Sequence, residues 1–145
     1  MASNIGGVVT FQKSISAWLD KVDKAVPEVV SGTVIRAVNA VVDLSPVDTG
    51  RFKANWQITA NSPAAQSLND YDATGGDTKR YLARQAKAVA GSVGTKVIYI
   101  TNRLDYAADL EYGSSKQAPA GVLGVVAVRL GRYFEEALAE ARSKI

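Results

Sequence analysis

Apolar residues recur at steps of three or four from about Phe11 to Leu44, which is the spacing of one face of an α-helix. Pro27 interrupts this stretch, where it either kinks one helix or occupies the first turn of a second helix. Ser45-Pro46 ends it, because the residue before a proline avoids the helical region. The stripe consists of Phe11, Ile15, Trp18, Val22, Val26, Val29, Val34, Val38, Val41 and Leu44.

Two short segments have the pattern of β-strands. Residues 53–60 alternate between apolar and polar side chains, which predicts a half-buried strand anchored by Trp56. Residues 96–101 carry apolar side chains on both faces. A strand of that kind is covered on both sides, either by helices or by a neighbouring subunit.

The remaining pattern predicts helices separated by loops. A short helix over 78–89 follows the polar loop 61–77, with Asp77 as its cap, and residues 105–112 form another helical segment. A loop over 113–121 leads to a final helix over 122–145. The apolar stripe of that helix consists of Leu123, Val126, Leu130, Phe134, Leu138, Ala141 and Ile145.

These elements predict a single α+β domain spanning residues 1–145, because chains usually divide only beyond about 250 residues. We expect a small, mostly antiparallel sheet in the segment 51–121, packed by a long N-terminal helix (11–44) and a C-terminal helix (122–145). The apolar stretches are interrupted by charges and the first residues lack a basic region. We therefore expect neither a membrane-spanning helix nor a signal peptide.

The chain contains no histidine and no cysteine. This excludes Ser-His-Asp, Cys-His and HExxH chemistry, disulfides and cysteine zinc sites. Only carboxylate, lysine or tyrosine chemistry remains, and no residues are assigned here as catalytic, cofactor-binding or metal-binding.

The net charge of +3 is unevenly distributed. A basic band over 79–103 has six basic residues and no acid, whereas the rest of the chain has an excess of three acids. The band could contact nucleic acid, or it could meet an acidic neighbour. In a ring of identical subunits, Arg80, Arg84 and Lys87 of one subunit could face Asp105 and Asp109 of the next.

Two short motifs superficially suggest chemistry. Asp48-Thr49-Gly50 matches the triplet of aspartic proteases, but it follows a helix rather than a strand of an all-β fold. We interpret it as a turn in which the Asp48 carboxylate accepts backbone N–H bonds. The segment 91–96 lacks the glycine spacing of a phosphate-binding loop, and a helix-to-strand turn explains it better.

Two further segments are more informative as a pair. The first is Ser45-Pro46-Val47-Asp48-Thr49-Gly50, after the long helix, and the second is Tyr106-Ala107-Ala108-Asp109-Leu110-Glu111-Tyr112-Gly113. In this order and spacing they resemble the tail-completion or head–tail joining (neck) proteins of tailed bacteriophages. In that family a helix, Pro-x-Asp-Thr-Gly and a strand precede Tyr-Ala-x-x-x-Glu-Tyr-Gly, a Pro-containing loop and a final helix.

The resemblance implies a non-enzymatic virion subunit, made in the host cytoplasm and located in the neck. It implies a homo-oligomeric ring, expected to be hexameric, between connector or adaptor proteins and the tail-tube or terminator protein. DNA would pass through the ring without specific binding, and no membrane or cofactor is expected. Asp48, Thr49 and Gly50, with Tyr106, Glu111, Tyr112 and Gly113, are expected to hold the loop bases in place.

Two alternatives remain open at this stage. One is a tail-terminator ring that caps the tail tube. The other, of a different class, is a small DNA-binding protein that uses the basic band 79–103.

Overall fold

Helix α1 (Ala2–Leu44) runs uninterrupted through Pro27. The computed structural model describes residues 2–113, 115–118 and 120–145, and it describes side chains from residue 16 onward. The predicted long helix is therefore confirmed, although it begins earlier than Phe11, and Pro27 does not divide it in two. The last turns of α1 form the centre of the core, with Ala37, Val38, Val41 and Val42 all buried.

The segment Ser16–Leu44 of α1 contains an 18-residue window with a mean hydropathy of 1.4, apolar enough to cross a membrane by length and composition. Charges do interrupt the segment, as expected, since Glu28 and Arg36 lie within it, but its mean hydropathy still passes the test for a spanning helix. Of that window 22% is buried, in the last turns of α1, which pack in the core.

The chain after α1 forms a helical turn before the first strand. Helix α2 (Arg51–Ala54) precedes strand β1 (Trp56–Ala60), so the prediction that residues 53–55 belong to the strand is wrong. The Ala54 N–H donates to the Gly50 carbonyl, which closes a helical turn instead of a β-ladder. Trp56 is 2% exposed, as expected of an anchor, and the Phe52 ring meets it edge-on at 5.6 Å.

Strand β1 pairs with strand β2 (Ile98–Asn102) in an antiparallel ladder. The register places Trp56 opposite Asn102 and Ile58 opposite Ile100. The predicted α+β class is confirmed, with one two-stranded sheet in the described residues. The side chains of β2 are all partly buried, so neither of its faces is fully covered within one subunit.

Helix α3 (Gly76–Gly91) packs against α1 through Leu82 and Ala86, both fully buried. It starts two residues before the predicted start, and its N-cap residue is Gly75 rather than Asp77. Tyr81, expected on its apolar face, is 41% exposed.

Helix α4 (Ala107–Glu111) leads through a loop to helix α5 (Leu123–Arg142). Helix α5 contributes four residues to the core: Val126, Tyr133, Ala137 and Ala141. In contrast, Leu130 and Phe134 are nearly half exposed. The predicted apolar stripe of this helix was thus wrong in part.

The small residues at the crossing of α1 and α5 explain this difference. A Cβ placed on Gly32 of α1 would lie 3.1 Å from the Cβ of Ala137, so the helices approach closely there. Large side chains would hold the two helices apart at this point. The large side chains of α5, Leu130 and Phe134, therefore lie to one side of the contact. Arg36 extends across the same contact to Glu136 and Glu140.

The buried contact between α3 and α1 gives a direct test of the core. Replacing Leu82 by Ala removes a side chain that is 0% exposed and leaves a cavity. We expect the free energy of unfolding to fall by about 3 kcal/mol in urea titrations. Val128→Ala, at a helix position that is 86% exposed, should change it by less than about 0.5 kcal/mol. Equal losses from the two variants would contradict this packing.

Candidate functional site

The first motif begins at a tight exit from α1. The Ser45 hydroxyl donates to the Val41 carbonyl, and it accepts a hydrogen bond from the Trp56 indole N–H at 2.7 Å. Ser45 is itself buried. The end of α1 and the start of β1 are therefore joined directly through buried polar groups.

The Asp48-Thr49-Gly50 turn is held by residues other than the aspartate. Asp48 is exposed, and its carboxylate accepts no hydrogen bond from the described residues, so the predicted bonds to this carboxylate do not form there. Instead, the Thr49 hydroxyl accepts the Arg51 N–H at 3.3 Å. The Gly50 carbonyl accepts the N–H groups of Ala54 and Asp72, each at 3.0 Å.

Gly50 is required by its backbone conformation and by the loop that lies on it. Its φ is +85°, in the left-handed region, and an added Cβ would lie 2.4 Å from the Ala73 nitrogen. The polar loop 61–75 thus rests directly on the first motif. The buried Asn55 holds the same loop further along, because its side-chain oxygen accepts the Leu68 N–H at 2.7 Å.

Helix α3 is capped by Asp72 and not by Asp77, the predicted cap. The Asp72 carboxylate accepts the N–H groups of Gly75 at 3.0 Å and Thr78 at 2.9 Å, and the Thr78 hydroxyl at 2.8 Å. Burial by itself would raise the pKa of Asp72, but these hydrogen bonds outweigh it and lower the pKa. The signal in the sequence is an aspartate shortly before Gly75-Gly76 and Thr78, where the chain turns into a helix.

The second motif places Glu111 at the start of α5. Its carboxylate accepts three backbone N–H groups, from Val122 at 3.0 Å, Leu123 at 2.6 Å and Gly124 at 3.0 Å. The N-cap residue of α5, Val122, makes no side-chain cap of its own. Glu111 therefore satisfies donors that a helix otherwise leaves without partners, and its negative charge lies at the positive end of the helix dipole.

The environment of Glu111 determines its ionisation. Partial burial would raise the pKa of this carboxyl group, but the N–H donors of Gly124, Leu123 and Val122 outweigh burial and lower it. The group therefore stays ionised at neutral pH as the capping function requires.

Gly121 allows the Glu111 contact. Its φ is +80°, and an added Cβ would lie 2.2 Å from the Glu111 carbonyl oxygen and 2.6 Å from a carboxylate oxygen. The loop must pass over Glu111 at this point without any side chain.

A pair of amide hydrogen bonds joins the first motif to the loop that follows the second. The Val47 N–H donates to the Gln117 side-chain oxygen, and the Gln117 side-chain N–H donates to the Val47 carbonyl, each at 2.9 Å. Gln117 was not predicted as a site residue, because its residue type and spacing give no signal for this contact. We call the first motif, the Glu111 cap and this amide pair the loop joint.

The loop joint surrounds an open cavity of about 300 Å³. Asp48, Thr49 and Gly50 line it together with Tyr106, whose ring lies 6.3 Å from that of Phe52. Tyr112 lies outside it and is 89% exposed. Gly113 ends α4 with a φ of +89°. Positions 114 and 119 of the predicted loop 113–121 lie outside the described residues.

The basic band does not form a single free surface. Lys79 pairs with Asp43 of α1, and Arg80 pairs with Asp77. Arg84 and Lys87 are exposed on α3, where Lys87 lines a cavity of about 430 Å³ between α1 and α5.

The acidic segment is separate from the band within the chain. Asp105 and Asp109 are exposed, and neither forms an ion pair with the band in the part of the chain that is described. Contact between these two charge clusters of neighbouring subunits stays a prediction.

The segment 91–96 has a local structural role. It connects α3 to β2, with Ser92 as the C-cap, and Asn61 accepts the Lys96 N–H at 2.8 Å. Among the described residues, no cluster of three or more Asp or Glu side chains could hold a metal ion.

Removing the Glu111 charge should destabilise the protein. We expect Glu111→Gln to lower the free energy of unfolding by about 1–2 kcal/mol at pH 7, because one acceptor oxygen and the charge are lost. The pKa of Glu111 is lower in the folded state than its unfolded value of 4.5. Its contribution is therefore present above that value and lost as the pH falls through the lowered folded pKa.

Urea titrations of wild type and Glu111→Gln between pH 7 and pH 3 measure this effect, and the difference should shrink at the acidic end. Glu135→Gln is the matched control, since Glu135 is an exposed glutamate on α5. A Glu111→Gln protein as stable as wild type at pH 7 would show that the cap contributes nothing.

Gly121→Ala tests the close approach of the loop to Glu111. The new Cβ would collide with backbone and adopt an unfavourable φ, so we expect a loss of more than about 2 kcal/mol in thermal or urea unfolding. Gly91→Ala is the control, because a Cβ there meets nothing within 4 Å. It should shift stability by less than about 1 kcal/mol, and a similar effect at both positions would contradict the structure of the joint.

Comparisons of the chain with models of protein families, with curated proteins and with solved structures find no match. Its function is therefore inferred from the loop joint and from the surfaces of the described helices. Those surfaces include two charge clusters and several half-exposed apolar side chains.

Proposed function

We propose that the chain is a structural subunit of the neck of a tailed bacteriophage, a tail-completion or head–tail joining protein. The observation that carries the proposal is that the two family motifs line one cavity, with Tyr106 beside Asp48 to Gly50. In addition, Val47 of the first motif is hydrogen-bonded to Gln117 in the loop that follows the second. Motifs some fifty residues apart have one structural role, which favours the resemblance over a chance match of short sequences.

The loop joint suits a protein that acts through its loops. The loop 61–75 is held at Asn55 and Asp72, while most of its residues are exposed. Tyr71 in that loop is 57% exposed, and Tyr112 beside the second loop is 89% exposed. Exposed tyrosines next to a rigid base are typical contact residues of protein interfaces.

In this proposal the chain assembles into a homo-oligomeric ring, expected to be hexameric, between the connector and the tail tube. It acts by shape and interfaces, without catalysis or cofactor, and DNA passes through the ring. The protein is made in the host cytoplasm and becomes part of the virion.

A reconstitution experiment tests this function. Extracts of infected cells that lack only this protein should contain filled heads and complete tails that do not join. Adding the purified protein should restore joined particles under the electron microscope and infectivity. Tails of uncontrolled length in the depleted extract would instead indicate a terminator ring, and joined particles without the protein would refute a neck role.

DNA binding is the second candidate, favoured by the exposed cations Arg84, Lys87 and Arg103. The partners of Lys79 and Arg80 within the chain weaken it, because paired cations neutralise fewer phosphates. Salt-sensitive retention of duplex DNA by the isolated subunit, abolished by changing Arg80, Arg84 and Lys87 to Ala, would favour this function over the neck role.

A further inference from the structure

The N-terminal part of α1 extends beyond the helix that covers its remainder. Helix α5 runs antiparallel to α1, since Glu136 pairs with Arg36 and Lys144 lies 3.5 Å from Glu28. The C-terminal residue Ile145 reaches the level of Lys21 to Ala25. Residues 16–20 are all exposed, and Trp18 is 55% exposed. The helix before this point extends for roughly 30 Å at 1.5 Å per residue.

The extended part of α1 has the sequence pattern of a helix that packs on another helix. Apolar or small residues alternate at steps of three and four, the heptad spacing, over more than three heptads. The same row ends at Gly32, where α5 of the same chain covers it. The row consists of Val8, Phe11, Ile15, Trp18, Val22, Ala25, Val29 and Gly32. Leu19 and Val26 widen the row on one side and are 47% and 60% exposed.

Helix α5 carries a second apolar row without a partner in the chain's described residues. This row lies beside the face that packs on α1. Its exposed members are Leu123 (40%), Leu130 (42%) and Phe134 (48%), at steps of seven and four. Gly131, next to them, has open space where a side chain would stand, so a further helix can approach closely.

We propose that the extended part of α1 packs on the outer apolar row of α5 in a second copy of this chain. One contact of this kind covers both exposed rows, whereas pairing of α1 with α1 would leave the row of α5 exposed. Each copy contacts one neighbour through its α1 row and another through its α5 row, so the contact is head-to-tail. Such contacts close into a ring if the rotation between neighbouring copies permits.

The available surface is of the size of a small specific interface. Six large apolar side chains in the two rows are about half exposed: Trp18, Leu19, Val26, Leu123, Leu130 and Phe134. Together they bring roughly 500–600 Å² of apolar surface to the contact. With the polar atoms around them, the buried area approaches the value of about 1,000 Å² that a specific interface needs.

The charges around the α1 row favour a protein partner over a lipid surface or nucleic acid. The uncovered turns before Lys21 carry one basic and one acidic residue, Lys13 and Asp20. Helices that bind anionic membranes carry an excess of Lys and Arg on the polar face. A neutral polar face beside an apolar row is suited to another neutral helix.

This inference rests on the proposed function, since it names the contact by which a neck ring would form. It makes a narrower claim, however, because it concerns only the association of purified copies. The test of the contact therefore uses purified protein without other phage components.

Charged variants at the two rows test the contact by light scattering after gel filtration. We expect wild type to form an oligomer, and Trp18→Glu and Phe134→Glu each to be monomeric, with association weakened at least about 30-fold. Circular dichroism should show both variants folded, since both side chains are half exposed in the subunit. Ala17→Glu and Val128→Glu, at exposed positions away from the rows, are the controls and should assemble as wild type.

Mixing the two monomeric variants identifies the head-to-tail mode. Trp18→Glu retains an intact α5 row and Phe134→Glu retains an intact α1 row, so an equimolar mixture should form dimers. The chain has no cysteine, so a Trp18→Cys variant mixed with Phe134→Cys should form a disulfide-linked dimer under oxidation.

The proposed contact would be overturned if wild type is a monomer at all concentrations. It would also be overturned if Phe134→Glu assembles normally, or if each of the two variants assembles by itself. Binding of Trp18 to lipid vesicles in place of assembly would overturn it too. An oligomer that fits this contact but does not join heads to tails in the reconstitution would contradict the neck function and leave the contact established.

Discussion

The Glu111 carboxylate at the N-terminus of α5 is the contact on which the arrangement of this protein depends. It accepts the N–H groups of the N-cap residue and of the first two residues of a helix that starts twelve residues after it. The position of α5 sets which of its faces meets α1 at Gly32, and hence which apolar row stays exposed. One partly buried charge thus links the second motif, the core and the outer surface of the helix.

The same device is used at α3, where Asp72 accepts the first N–H groups of the helix from the loop before it. In both places the helix is capped by a carboxylate from earlier in the chain, Asp72 in the loop before α3 or Glu111 at the end of α4, rather than by its N-cap residue. The capping segment and the helix therefore stabilise each other, because these hydrogen bonds form only when both are ordered. Firm attachment of the loop ends to the helices would suit a protein whose loops contact other proteins.

Much of the fold follows from local pattern, and the exceptions have physical causes. The heptad-like spacing of α1 and the alternation around Trp56 predict a helix and a strand because these patterns are local. The helical turn at Lys53 depends on Gly50, whose left-handed φ directs the chain back on itself, and alternation cannot reveal that. The face of α5 that is buried depends on close approach at Gly32, a contact between residues over a hundred positions apart.

The candidate site was predictable in its residue types more than in their partners. Glu111 was singled out from the second motif, while Asp48 proved to be exposed. The cap of α3 was predicted at Asp77 instead of Asp72, and Gln117 carried a contact that no local signal assigns to it. A side chain that satisfies backbone groups of a distant segment is determined by tertiary structure. The two motifs therefore pointed to segments that lie close together in the fold, but not to the atoms that join them.

Backbone amide exchange measured by NMR tests the loop joint most directly. The Val47, Val122, Leu123 and Gly124 N–H groups should all exchange slowly at pH 7, although Val47 lies in a loop. If the joint is one unit, Glu111→Gln should speed exchange at Val47 as well as at the start of α5. Fast exchange at Val122, Leu123 and Gly124 in wild type, or an unchanged rate at Val47 in the variant, would contradict the joint.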